Sequence, residues 1–171
     1  MIKDRLIEAK AVKYGSFSLA SGKKSSYYVD VKSALTDPVL LDEAASEISK
    51  RVLSRKIAGV ETGATPILVA TSLKLGIPFV IIRKEGQAHG MERQFIGEVS
   101  QGEEIDMIED VVTTARSVSR GVDILRKSGA RVTRAICIVD REDSGRDQLR
   151  RKGVELLELV RISDLVSNQK G

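Results

Sequence analysis

Five short apolar runs recur along the chain: IAGVE at 57–61, FVIIR at 79–83, IDMIE at 105–109, TRAICIVD at 133–140 and VELLELV at 154–160. Runs of this length suit strands of a parallel sheet buried on both faces. Helical patterns lie between them. Asp37-Pro38 reads as an acidic N-cap followed by a first-turn proline, after which Leu41, Ala44, Ala45, Ile48 and Val52 form one apolar face. A second helix runs over 66–75 and closes at Gly76. A third covers 117–128, turns Val118, Val122 and Leu125 inward and stops at Gly129. A fourth covers 144–152, and Ser163 caps a last short helix.

The first 36 residues break this alternation. Ile2, Leu6, Ala9 and Val12 or Lys13 fall at helical spacing, so a short amphipathic helix is expected over 2–13, ended by Gly15. Tyr27, Val29 and Val31 then alternate with Tyr28, Asp30 and Lys32, which predicts a strand, paired with 16–20 across a Ser21-Gly22 turn. The predicted architecture is α/β: a doubly wound, mainly parallel five-stranded sheet with flanking helices, plus a small N-terminal accessory (hood) lobe over 1–36. There is no linker and no internal repeat, so residues 1–171 are expected to form one domain.

Composition changes this picture little. The chain has 171 residues, 42% hydrophobic and 30% charged, as in ordinary soluble globular proteins. Charge begins at the third residue and no long apolar run follows, so neither a signal peptide nor a membrane span is expected, and the location expected is cytoplasmic. The single cysteine, Cys137, excludes an internal disulfide framework and sits in an apolar run as a core residue. The net charge of +4 is spread among scattered basic residues with only 4% aromatics, unlike an RNA-binding strand. Arg150, Arg151 and Lys152 suit a solvated helix end. No nucleic-acid or membrane partner is expected; an anionic small substrate suits the balance.

In doubly wound sheets the ligand lies beyond the carboxyl ends of the strands. There the chain places Glu61, Thr62, Gly63 and Ala64, then Arg83 and Lys84, then Glu109 and Asp110, then Asp140 and Arg141. Residues 105–117 carry the most chemistry. A buried strand feeds a hydroxyl-rich turn and then a helix N-terminus, where unpaired N–H groups and the helix dipole favour an anion. The two acids cannot hold that anion. Like charges at contact repel by about 1 kcal/mol in water and about 4 at an effective dielectric of 20. The acids therefore face sugar hydroxyls or a divalent cation, and the stretch as a whole suits a phosphorylated sugar.

Several other chemistries are excluded. No Gly-x-Gly-x-x-Gly or Gly-x-Ser-x-Gly occurs, and one histidine cannot build a zinc site. The GKKS segment fails as a phosphate P-loop, because Phe17 stands where the first glycine belongs and a second lysine follows the first. Residues 84–104 form a long connection with four glycines, Lys84, Arg93 and the only histidine, His89. It is either a surface loop or a mobile lid that brings positive charge over an anionic leaving group, with part of 95–99 as a β-ribbon.

EDVVTTARS resembles the phosphoribosyl-pyrophosphate motif of the type I phosphoribosyltransferases. GSFSLASGKKSSYYVD, RKEGQAHG and VDREDSGRDQL, in that order along nearly the whole chain, resemble the orotate-using branch of that family. The resemblance implies transfer of the phosphoribosyl group from phosphoribosyl pyrophosphate to orotate, giving orotidine 5′-monophosphate and pyrophosphate with Mg2+. It implies a homodimer with shared sites and inversion at the anomeric carbon without a protein nucleophile. By matching position, Glu109 and Asp110 would hold the ribose hydroxyls. Val111, Val112, Thr113, Thr114, Ala115, Arg116 and Ser117 would wrap the 5′-phosphate. Thr113 and Arg141 would contact orotate. Arg83, Lys84 and His89 would meet the pyrophosphate, Lys84 and His89 as the catalytic pair, over the loop of Glu61, Thr62, Gly63 and Ala64. Magnesium would arrive with the pyrophosphate substrate, near Asp110, without a dedicated set of protein ligands.

The chain departs from the family pattern at several positions. Ala115 replaces the usual glycine of the turn and is expected in an ordinary helical or bridge conformation, since a Cβ disfavours positive φ. Arg116 follows where small residues are common. Gln87 stands in place of a lid lysine, which shifts the burden to Lys84, His89 and Arg93. The lysine that bacterial relatives have at Ala20, and their Tyr-Lys pair at Thr62-Gly63, are absent. A purine or uracil phosphoribosyltransferase, or a ligand-binding regulator of the same fold, are the alternatives. The regulator would need a helix-turn-helix, for which the first 13 residues are too few.

Overall fold

The structure, a computed structural model, describes residues 1–18, 22, 24–84 and 94–166. Its centre is a six-stranded sheet. The strands are β3 (Ile57–Val60), β4 (Phe79–Ile82), β5 (Phe95–Ile96), β6 (Asp106–Val112), β7 (Arg134–Asp140) and β8 (Glu155–Arg161), in the spatial order β5-β4-β3-β6-β7-β8. The strands of the five apolar runs are all parallel neighbours, and the central ones, β3, β6 and β7, are buried on both faces. The expected five-stranded sheet gains a sixth member: β5 pairs antiparallel with the edge strand β4 through Ile81↔Ile96 and Ile82↔Phe95. Two residues are too few to show an alternating pattern, so the sequence marks this strand only faintly.

Helices cover both faces. On one side α3 (Pro38–Ser49) and α4 (Thr65–Leu75) bury Ile48, Ile67 and Leu68 with Ile57, Ile108 and Ile136. On the other, α5 (Arg116–Lys127) and α6 (Gly145–Arg151) bury Val122, Leu125 and Leu149 with Met107, Ala135 and Cys137. Successive strand residues thus feed opposite cores. Cys137 is fully buried, as expected, and burial pushes its thiol well above the ordinary range. Asp37 caps α3 by accepting the N–H groups of Val39 and Leu40, each at 2.9 Å. Gly76 closes α4 in the left-handed conformation (φ 65°). Asp106, the acid within an apolar run, lies at the amino end of β6. There Arg134 and the N–H groups of Leu53 and Ser54 satisfy it, with Arg134 Nε at 3.2 Å, so it belongs to the fold and not to the site.

The N-terminal segment differs most from expectation. α1 (Ile2–Glu8) spans two turns, buries only Leu6, and ends before Lys10, which takes φ 51°. Val12 and Lys13 belong to β1 (Val12–Ser18), not to the helix. β1 pairs antiparallel with β2 (Lys24–Val29) from Val12↔Val29 to Ser18↔Lys24, so the hairpin starts four residues earlier than its sequence pattern suggests. Val31 and Lys32 continue the alternation of β2 in sequence, yet they open a one-turn helix, α2 (Val31–Ala34). Asp30 caps it by accepting the N–H of Ser33 at 3.3 Å. A local side-chain cap overrides a period-two pattern here. The last helix, α7 (Ile162–Val166), starts one residue before Ser163, whose N–H donates to Glu142. Ala20, Ser21, Gln87, His89 and Arg93 lie outside the described residues.

Candidate active site

Among the five parallel strands the chain order is 2-1-3-4-5, with its switch between β3 and β6. In sheets of this kind a crevice opens at that point beyond the carboxyl ends of the strands. A cavity of about 340 Å³ lies there, lined by the residues after β3, the end of β6 and the start of α5.

Glu109 and Asp110 lie in the carboxyl-terminal half of β6 and are only 6% and 7% exposed. The Asp110 N–H donates to Glu109 Oε1 at 3.1 Å, and the Val111 N–H to Asp110 Oδ1 at 2.9 Å. Burial, and after it the adjacent Asp110 carboxylate, push the Glu109 carboxyl well above its ordinary range. The loop after β3 passes directly over this pair. A Cβ on Gly63 would stand 2.8 Å from Asp110 Oδ2, so only glycine allows that approach. Glu61 accepts the backbone N–H of Lys84 at 2.9 Å, which ties the ends of β3 and β4 together, and both residues line the cavity. Ala64 is fully buried under the loop and does not line it.

The turn after β6 carries Thr113 and Thr114 and then reverses at Ala115, with φ 58° and ψ 21°. This corrects the expectation of an ordinary helical or bridge conformation. The chain needs a left-handed residue here to turn from the strand into α5, and alanine accepts it, with a steric penalty of about 1–2 kcal/mol. No side chain caps the N-terminus of α5, and Ala115, Arg116, Ser117 and Val118 line the cavity. Its first-turn N–H groups and dipole make that wall receptive to an anion.

A second cavity of about 420 Å³ adjoins the first. The two share Lys32, Asp110, Val111, Thr113, Thr114 and Arg116. Tyr28 and Arg141 line only the second. The Arg141 guanidinium lies over the Tyr27 ring, 4.9 Å from its centroid, and its buried Nε has no hydrogen-bond partner. Arg141 is thus a stacked arginine with an unpartnered buried donor on the wall of the second cavity.

Most residues singled out in the sequence therefore converge. Arg83 does not: it lines neither cavity, its N–H donates to the Gln94 carbonyl, and its own carbonyl accepts from Arg120. Lys32 and Tyr28 have no signal in the sequence, because continuation of the β2 alternation assigns Lys32 to an exposed strand position; the cap by Asp30 turns it toward the cavities. Among the described residues no group of three or more His, Cys, Asp or Glu converges as a metal site. No helix among them is long and apolar enough to cross a membrane.

Comparison with known proteins agrees with this geometry. The Phosphoribosyl transferase domain family matches residues 32–159. An orotate phosphoribosyltransferase of Thermoplasma volcanium is 52% identical over 165 residues, covering 96% of this chain and 99% of the relative. One from Picrophilus torridus is 48% identical over 165 residues, covering 96% and 99%. The crystal structure of orotate phosphoribosyltransferase from Aeropyrum pernix superposes with a TM-score of 0.88 at 29% identity, covering 98% of this chain and 97% of that one. The chain belongs to the phosphoribosyltransferase family, within its orotate phosphoribosyltransferase branch.

Proposed function

We propose that this protein transfers the phosphoribosyl group of phosphoribosyl pyrophosphate to orotate, releasing pyrophosphate, in pyrimidine biosynthesis. The observation that carries this is the pairing of two adjoining cavities. One combines an uncapped helix N-terminus with a buried acid pair, and the other holds a stacked arginine with an unpartnered donor.

The 5′-phosphate accepts N–H groups at the α5 N-terminus, beside the hydroxyls of Thr113, Thr114 and Ser117. The ribose hydroxyls donate to Glu109 and Asp110. The orotate carboxylate takes Arg141, whose planar fork matches it, next to Thr113 and Lys32. A purine or uracil would leave Arg141 without a carboxylate. As the bond from the anomeric carbon to pyrophosphate breaks, the leaving group departs with the electron pair; orotate N1 gives up its proton to solvent or to the departing pyrophosphate and bonds to the opposite face with the electron pair left on the nitrogen. The carboxylates beside the ribose stabilise the positive charge that develops there. Lys84 meets the pyrophosphate from the end of β4, and His89 of the following connection adds to the charge there; Arg83, which lines neither cavity, is left out of this role. Mg2+ carried in by the substrate would sit near Asp110, whose carboxylate, a hard oxygen donor, lines the first cavity. When bound, the ion neutralises charge on the departing pyrophosphate. Cytoplasmic placement and a homodimer with shared sites complete the proposal.

Calorimetric titration separates the two cavities. Arg141→Ala is expected to weaken orotate by about 2–5 kcal/mol, as for truncating one partner of a desolvated charge pair, and to leave phosphoribosyl pyrophosphate nearly unchanged. Equal weakening of both ligands would remove Arg141 from the base site.

A further inference from the structure

The residues after β7 form the turn that presents Arg141, and this turn is held at several points. The Arg141 N–H donates to the Val112 carbonyl and the Gly145 N–H to the Thr113 carbonyl, each at 2.9 Å. A Cβ on Gly145 would stand 2.5 Å from that Thr113 oxygen, so the turn lies directly against the phosphate loop. Glu142 takes φ 53°, a conformation that non-glycine residues adopt only when held. Its N–H donates to Asp140 Oδ1 at 2.9 Å, and its own carboxylate accepts the Ser163 N–H at 2.9 Å.

Asp140 is the hub of this arrangement and is 1% exposed. Its second oxygen, Oδ2, accepts from Arg146 Nη2 at 2.8 Å. The same nitrogen donates to Glu158 Oε2 at 2.5 Å on β8, while Nη1 donates to the Leu156 carbonyl at 2.8 Å. Glu158 is held in turn by Arg161 at 2.8 Å. Arg146 is the one cation paired with Asp140 among the described residues. Its side chain is 41% exposed and lines neither site cavity, so it does not touch substrate. Without it, Asp140 Oδ2 loses its partner, and the carboxylate is free to rotate about its Cα–Cβ and Cβ–Cγ bonds, so Oδ1 is no longer held in line with the Glu142 N–H.

We propose that Arg146 is a positioning residue for base recognition: it fixes Asp140, Asp140 fixes the left-handed turn at Glu142, and the turn aims Arg141 at the orotate carboxylate. This rests on Arg141 as the base-side anchor. A lysine at 146 keeps the charge but cannot fork between Asp140, Glu158 and the Leu156 carbonyl together.

A double-mutant cycle on the full chain tests the chain of contacts, with orotate and phosphoribosyl pyrophosphate affinities read by calorimetry. Arg146→Met is expected to weaken orotate about tenfold and to change phosphoribosyl pyrophosphate by less than about twofold. In an Arg141→Ala background it is expected to add less than about twofold for orotate, because the group it positions is gone. Arg146→Lys should recover part of the loss. If Arg146→Met does not fold, Glu158→Gln, which weakens one arm of the fork, should move orotate affinity in the same direction by about two- to threefold. Equal weakening of both ligands, a full effect in the Arg141→Ala background, or unchanged orotate affinity in Arg146→Met or, failing its folding, Glu158→Gln would overturn the proposal. Wild-type protein that binds no orotate would overturn the base assignment as well, which distinguishes the two failures.

Discussion

Ala115 shows how a residue can hold a family's geometry without the family's usual side chain. It adopts φ 58° although it carries a Cβ, and it is buried. A branched Cβ would fit this conformation far worse, so Ala115→Val is expected to destabilise the protein by more than about 2 kcal/mol, read from denaturant unfolding. Glu109 carries a second tension, between stability and binding. Its carboxyl is raised by burial and by Asp110, so the folded state holds that proton more tightly than the unfolded chain. The stability it contributes is therefore present below the ordinary carboxylate range and is lost as pH rises through the folded value. Glu109→Gln should remove this loss: its melting temperature should exceed that of wild type by a margin that grows with pH, while its affinity for phosphoribosyl pyrophosphate falls. A constant margin across pH would contradict the assignment. The acid pair, the threonines and Arg141 were legible in the sequence because they follow buried runs directly. The conformation of Ala115 was not, since intrinsic preference opposes it and only the strand-to-helix turn demands it.

Whole elements were legible where burial alone decides them. Runs such as TRAICIVD feed both faces of a sheet, and no other structure satisfies them. The misses lie where short-range and long-range preferences compete. Val12 and Lys13 extend a helical spacing, but their backbone pairs with Tyr28 and Val29 across a hairpin. Val31 and Lys32 extend a strand pattern, but Asp30 offers the Ser33 N–H a cap. That cap has a functional consequence, because α2 brings Lys32 to the wall common to both cavities. Lys32 is exposed, so Lys32→Ala should change stability by no more than about 0.5 kcal/mol. It should nevertheless raise the KM for at least one anionic substrate severalfold, with the loss reduced at high salt, where wild-type attraction is itself screened. Unchanged kinetics at low salt would place Lys32 outside the site's working charge.

At the scale of the molecule, the sheet sets the polarity of the whole protein. Structural ion pairs such as Asp106 with Arg134 sit at the amino ends of the strands, and the chemistry sits at the carboxyl ends. The Arg146–Glu158–Arg161 cluster joins α6 to β8. Burial opposes ionisation of Glu158, but hydrogen bonds from Arg161 and Arg146 outweigh it and hold its carboxyl at about 2. This folded value is depressed, so its contribution to stability is present above the ordinary glutamate value and fades as pH falls toward about 2. In unfolding followed by circular dichroism, the stability margin of wild type over Glu158→Gln should shrink as pH falls, with the variant showing a shallower stability slope below about pH 4. An identical slope would show that the cluster contributes nothing to acid stability. All these elements converge on one reaction, and its substrate is directly measurable. Purified protein should consume orotate, seen as loss of its ultraviolet absorbance, only when phosphoribosyl pyrophosphate and Mg2+ are both present, and should leave adenine, hypoxanthine and uracil untouched. Consumption of one of those bases with orotate unchanged would contradict the account.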